Sequence, residues 1–305
     1  MTNTKHGSLA VISAAVLWSL DGLLRRHLFH LPPTVIVYWE HTLGLLALLP
    51  FLVYYRKTFP SLSRTQWQAI ILVSALSGVL GTVFYTAALG SIHFIPFSVV
   101  VLLQQTQPFF AIGSAHLWLK EPLPKRFIFI AILALISAFL VSFPHLTVYA
   151  PLNRETAIAA LFALGAALCW GTSTTLSKYS LRDASFLHIT GIRFGFTAVF
   201  ACILTLFLGK VSSLAQVNLQ DLRTLLAITC STGLVALALY YFGLKRILAS
   251  HSTLFELFWP LSAMLMGHFV FHEELTNTQW IGAIGLLGSI MHLSKNQKIP
   301  TEKIT

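Results

Sequence analysis

Charge of either sign is what this sequence has least of. Asp, Glu, Lys and Arg make up 10% of its 305 residues, where soluble domains carry about 25%. Hydrophobic residues make up 56%, and the mean hydropathy is +0.76. A water-soluble fold could not hide that much apolar surface at this length, so lipid must be the main solvent. Acids are scarcer than bases, 10 against 20. The basic surplus sits in short clusters between apolar runs, as in loops facing anionic lipid, which argues against a nucleic-acid partner. Cys169, Cys202 and Cys230 each lie inside an apolar run, without a CxxC or a Cys/His cluster. They read as small packing residues, not as a disulfide framework or metal site. No GxxxxGK[ST] occurs, so no ATP site is expected. No soluble segment exceeds a loop, which disfavours a membrane sensor.

What is present is a series of apolar runs of about 17–24 residues, long enough for a hydrocarbon core about 30 Å thick. They fall at 8–25, 34–54, 67–89, 96–118, 126–143, 157–178, 186–208, 223–243, 252–271 and 278–294. The expected fold is an all-α integral membrane protein of ten transmembrane helices. The first run has no small-x-small site before Asp21 and Arg25–Arg26, so it is expected to stay as a span. With the N-terminus inside, the inner loops hold 14 basic residues and the outer loops 5, with Arg25 and Arg26 counted outside. The positive-inside rule then places both termini in the cytoplasm of an inner (plasma) membrane.

The chain also contains itself twice. Residues 104–123 slide onto 256–275 at a shift of 152, pairing Pro108 with Pro260, His116 with His268 and Glu121 with Glu273. The same shift pairs Trp18 with Trp170 and His41 with Arg193. Tyr85 pairs with Tyr241 only at 156, which implies about four extra residues before the third helix of the second copy. The division is 1–143 as first repeat, 144–156 as linker, 157–294 as second repeat and 295–305 as tail. Five spans per copy is an odd number, so the copies should be inverted (5+5), an arrangement typical of alternating-access transporters.

These features resemble the EamA type of the drug/metabolite transporter superfamily. The resemblance rests on Trp18 and Trp170, on Pro108 and Pro260, on Lys120-Glu121-Pro122-Leu123 and His272-Glu273-Glu274-Leu275-Thr276, and on Gln279-Trp280-Ile281-Gly282. It covers nearly the whole chain. In one place the chain departs from the pattern, opening the first fifth helix with Lys125-Arg126-Phe127. The resemblance implies a carrier whose central cavity is lined by the first four helices of each half, buttressed by the fifth and tenth.

Ionisable groups inside a span cost about 2.5–3.5 kcal/mol on insertion scales and usually face a cavity or a partner. Asp21, Glu40, His41, Arg193 and Glu256 are such groups. Structural contacts between helices are the alternative for Glu40 and Arg193, and a rim salt bridge to Lys245 or Arg246 is the alternative for Glu256. Gln104 and Gln107 stand where Glu256 and Trp259 stand in the second copy, just before the prolines, which free a backbone carbonyl. Trp18, Tyr85, Trp170, Tyr241 and Trp259 offer flat faces, either to a cargo or to the core. These twelve residues are the expected substrate-binding set. Gly282, Gly285 and Gly288 fit close helix packing, not a nucleotide loop. His268 and His272 lack the Glu of HExxH, so no metal is expected.

The expected function is a secondary active or facilitative transporter, not an enzyme and without a cofactor, for a small amphipathic metabolite. Mixed acidic and basic stations suggest an amino acid or related zwitterion. Asp21, Glu40 or Glu256 would carry any coupled proton, and exchange without protons fits equally well. The rival class, a membrane enzyme acting on a lipid-linked substrate, predicts a catalytic cluster within one half. Import or export, coupling and oligomeric state are not legible.

Overall fold

The computed structural model describes residues 2–59, 61–91, 97–143, 145–146, 154–272 and 274–295. The first apolar run folds as α1 (Thr2–Trp18), a turn, and the short α2 (Asp21–Arg25). Then comes α3 (Pro33–Tyr54), whose first residue is a proline at a position that needs no N–H donor. α4 (Arg64–Val73) and α5 (Thr82–Gly90) form one rod through a widened π-type stretch, Ser74–Gly81. α6 (Phe97–Gln104) and α7 (Gln107–Leu119) are two pieces of a broken rod, and α8 (Lys125–Ser142) closes the first half. The second half repeats the plan as α9 (Arg154–Ser180), α10 (Phe186–Phe207), α11 (Leu219–Ile228) and α12 (Leu234–Leu244). A π-type stretch, Thr229–Gly233, joins α11 to α12. The broken rod α13 (Ala249–Glu256) and α14 (Phe258–Phe271) follows, then α15 (Asn277–Lys295).

Seven helical runs among the described residues are long and apolar enough to cross a membrane: Thr4–Leu28, Pro33–Tyr54, Arg64–Gly90, Lys125–Ser142, Arg154–Ser180, Phe186–Phe207 and Leu219–Leu244. The broken rods and α15 fall outside those seven. Each break comes just before a proline that cannot donate to the carbonyl one turn back, Gln104 for Pro108 and Glu256 for Pro260. Phe207, Leu161 and Ile284 point outward and are largely exposed, as side chains meeting acyl chains should be. The expected linker, the tail beyond Lys295 and Glu273 lie outside the described residues, apart from 145–146 and 154–156.

The main helix contacts are interchanged when the halves are exchanged. α1 lies on α12, and its counterpart α9 lies on α4, α5 and the stretch between them. α3 packs on α10, and α8 on α15. Direction follows from two contacts. Gly7, near the start of α1, lies against Gly243 near the end of α12. Lys178, near the end of α9, donates to the carbonyls of Leu244 (2.7 Å) and Lys245 (3.1 Å) at that same end. α1 and α9 therefore run in opposite directions.

The offset of the third rods differs from the expected 156. Ser63 and Asn218 each cap their rod with a reciprocal capping box closed by Gln66 and Asp221, and both pairs differ by 155. The π-type stretches start at Ser74 and Thr229, again 155 apart. Against the 152 of the other helices, the second copy has three extra residues (155 − 152), and Tyr85 corresponds to Tyr240. Two tyrosines in succession left the sequence one residue ambiguous.

The helices approach closely where side chains vanish. A Cβ on Gly243 would stand 2.5 Å from the Gly7 carbonyl oxygen, a backbone atom that cannot swing aside. Gly243→Ala should push α1 off α12 at a cost of about 1–3 kcal/mol and lower the melting temperature of the detergent-purified protein. Unchanged melting would mean the approach is looser than described. Of the expected packing row, Gly282 and Gly285 sit tightly on Ser137 of α8, whereas Gly288 has nothing within 4 Å of where a Cβ would stand.

Candidate functional site

Between the halves lies an open-mouthed cavity, about 1310 Å³ when the solvent space at its mouth is counted. Eleven of the twelve expected residues line it: Trp18, Asp21, Glu40, His41, Tyr85, Gln104, Gln107, Trp170, Arg193, Glu256 and Trp259. Tyr241 does not. It is fully buried behind the wall, where its hydroxyl meets Ser177 at 3.0 Å and accepts from Arg193 at 2.7 Å. Tyr240 takes the wall position instead, because the 155 offset turns that residue inward.

The walls are aromatic and paired. Trp18 lies 5.2 Å from Tyr240, and Trp170 lies 5.1 Å from Tyr85, centroid to centroid. Exchanging the halves turns one pair into the other. Both contacts are tilted, 57° and 55°. The Trp170 indole donates to the Ser77 carbonyl at 3.1 Å. The π-type widening frees that carbonyl from its regular helical partner.

One pole of the cavity is an ionic knot. Arg25 bonds Asp21 through Nε (2.7 Å) and Nη2 (2.9 Å), and Nη2 also reaches Glu40 at 3.2 Å. Thr232 donates to the Asp21 carboxylate at 2.9 Å. Arg25 had been counted as an outer-loop charge, but it is only 3% exposed. The i,i+4 spacing from Asp21 lets its planar fork lie on that carboxylate.

Elsewhere on the wall Arg193 of α10 donates to the Tyr241 hydroxyl and to Ser77 Oγ, both at 2.7 Å. His41 donates from Nδ1 to the Val37 carbonyl at 2.9 Å, and its ring lies 4.8 Å from Phe194. Glu256 sits at the C-terminal end of α13 and accepts from Gln107 Nε2 at 2.8 Å, so the broken rods touch across the two halves. The rim ion pair considered for Glu256 is not among the ion pairs of the described residues, and Lys245 donates instead to the Ala184 carbonyl at 2.6 Å. Gln104 is committed to the wall, donating to the Ala163 carbonyl at 2.7 Å.

In sequence Arg25 reads as a loop charge and Glu121 as a repeat and family residue, without a structural role for either, and neither Ser77 nor Thr232 is singled out. Glu121 is buried and accepts from the Ala249 amide (2.7 Å), the Ser250 amide (2.9 Å) and Ser250 Oγ (2.6 Å). It caps the N-terminus of α13 from the opposite half, where the N-cap residue Leu248 has no side-chain hydrogen-bond acceptor. Among the described residues no group of three or more His, Cys, Asp or Glu is placed to hold a metal.

The model of the EamA-like transporter family matches residues 5–143 and 157–295. The chain is 31% identical over 298 residues to the riboflavin transporter ImpX of Fusobacterium nucleatum, covering 97% of this chain and 99% of that protein. It is 24% identical over 274 residues to a riboflavin transporter of Brucella anthropi, covering 87% and 89%. It is 26% identical over 260 residues to the pseudopaline exporter CntI of Pseudomonas aeruginosa, covering 76% and 84%. A solved crystal structure superposes with a TM-score of 0.72 over 93% of this chain and 94% of that one. At 16% identity it speaks for the fold alone.

Proposed function

Because this chain belongs to the EamA-like transporter family, we propose that it carries a small amphipathic metabolite with a flat conjugated ring, riboflavin foremost, by alternating access. It is a multi-pass membrane transporter, not an enzyme. In this reading the seven long helices, the two broken rods and α15 make ten spans, arranged as two inverted five-helix repeats. Both termini lie in the cytoplasm of an inner membrane, and rocking of one half on the other exposes the cavity to each side in turn.

One observation carries the reading: the aromatic pairs Trp18–Tyr240 and Tyr85–Trp170 wall a single cavity and are interchanged by exchange of the halves. Such walls suit a planar ring better than a simple amino acid, and two relatives named for riboflavin add weight. The full-length protein in proteoliposomes loaded with unlabelled riboflavin should take up labelled riboflavin by counterflow, with the tracer recovered chemically unchanged. Counterflow of amino acids and none of riboflavin would replace this cargo with a zwitterion. Recovery of a converted product would overturn transport itself.

A further inference from the structure

Two guanidinium groups are buried at this cavity, and they are treated differently. Arg25 has two carboxylates within 3.2 Å. Arg193, 8% exposed, has only neutral hydroxyls, Tyr241 and Ser77. Among the described residues no carboxylate lies within 4.0 Å of it, and its Nε has no partner at all. A guanidinium has five N–H donors, and two are used here. A buried charge normally has a counter-ion, because desolvating it alone is costly. Here a guanidinium with no ion pair and with unused donors stands at the wall of the space where a cargo would sit.

We infer that Arg193 is the docking point for an acceptor oxygen of the cargo, such as a ring carbonyl of a pyrimidinedione or a carboxylate. This rests on the cavity being the cargo site, and it deepens that reading by naming what the cargo must present. The two hydroxyls hold the planar fork in place from α12 and from Ser77 in the widened stretch, and the Tyr241 ring lies 5.5 Å from the guanidinium carbon. The donor is thus positioned before binding, which lowers the ordering cost of each bond it makes to a ligand. Because its holders are neutral, its charge stays available. A carboxylate at Ser77 would have cancelled it.

The test uses the full-length protein in lipid nanodiscs, titrated by flavin fluorescence with riboflavin and with 4-thioriboflavin, whose thiocarbonyl accepts hydrogen bonds poorly. Wild type should bind riboflavin more tightly than the thio analogue. Arg193→Gln should weaken riboflavin by about 10- to 100-fold, the range for a charged hydrogen bond, and bind the two flavins alike. Arg193→Lys should fall between, since an ammonium cannot form the planar fork. Equal binding of both flavins by wild type overturns the inference with no variant needed, as does wild-type affinity in Arg193→Gln. In both cases the riboflavin reading stands. If wild type binds no flavin but binds a labelled amino acid that Arg193→Gln does not, the cargo reading falls while docking stands with a carboxylate as the acceptor. If neither ligand binds, both fall.

Discussion

Arg25→Ala should abolish transport and destabilise the protein more than any other single change at the cavity. Removing this side chain leaves Asp21 and Glu40 inside the bundle without the guanidinium that bonds both. Breaking a buried ion pair from one side typically costs about 3–5 kcal/mol, because the partner is left charged and dry. In a protein of this size that corresponds to a fall in melting temperature on the order of 10 °C. Arg25→Lys should recover part of the stability, since it keeps the charge, but not the two-toothed grip on Asp21. Melting of detergent-purified variants, paired with counterflow, checks both. An Arg25→Ala protein that melts like wild type would mean the knot is hydrated and contributes little. The proposed carrier cycle would not depend on that result.

The second large effect is expected outside the cavity lining. Glu121→Ala removes an acceptor that serves two backbone amides and a hydroxyl of α13. Leu248 cannot replace it, and a buried donor left unmade costs about 1–3 kcal/mol. The carboxylate also opposes the positive end of the α13 dipole, an interaction lost with it. Counterflow should fall at least about tenfold for a loss near 1.4 kcal/mol or more, because the cap ties the end of α7 to the start of α13 across the two halves. Glu121→Gln keeps one acceptor oxygen and should be intermediate. Wild-type flux in Glu121→Ala would show that this tie is incidental to the cycle.

Much of this was readable before any coordinates. Apolar runs of membrane length give themselves away by composition alone. The 152 shift survives in Pro108 and Pro260 because a proline's effect on a helix cannot be imitated by another residue. Trp18 and Trp170 were too deep in their spans for an interfacial belt, and depth is a sequence property at 1.5 Å per residue. Arg25 was not legible. Next to Arg26 at the end of a span it has the pattern of a loop charge, and only the fold brings Glu40 to it. Ser77 and Thr232 failed for a different reason: hydroxyls in an apolar run usually bond to their own helix. Their turning inward depends on widened turns that leave no mark in composition. Tyr240 and Tyr241 are identical neighbours, so the choice between wall and support waited on the capping boxes at Ser63 and Asn218.

The two copies no longer carry the same chemistry. Asp21, Arg25 and Glu40 are matched at the 152 offset by Ser173, Ser177 and Ile192, while Arg193 is matched by His41. A homodimer assembled from two amino-terminal fragments would therefore crowd two ionic knots around one chamber and have no Arg193. Two carboxyl-terminal fragments would bring two free guanidinium groups together with no knot. If the cavity needs both the knot and Arg193, severed halves should regain activity only as a mixed pair.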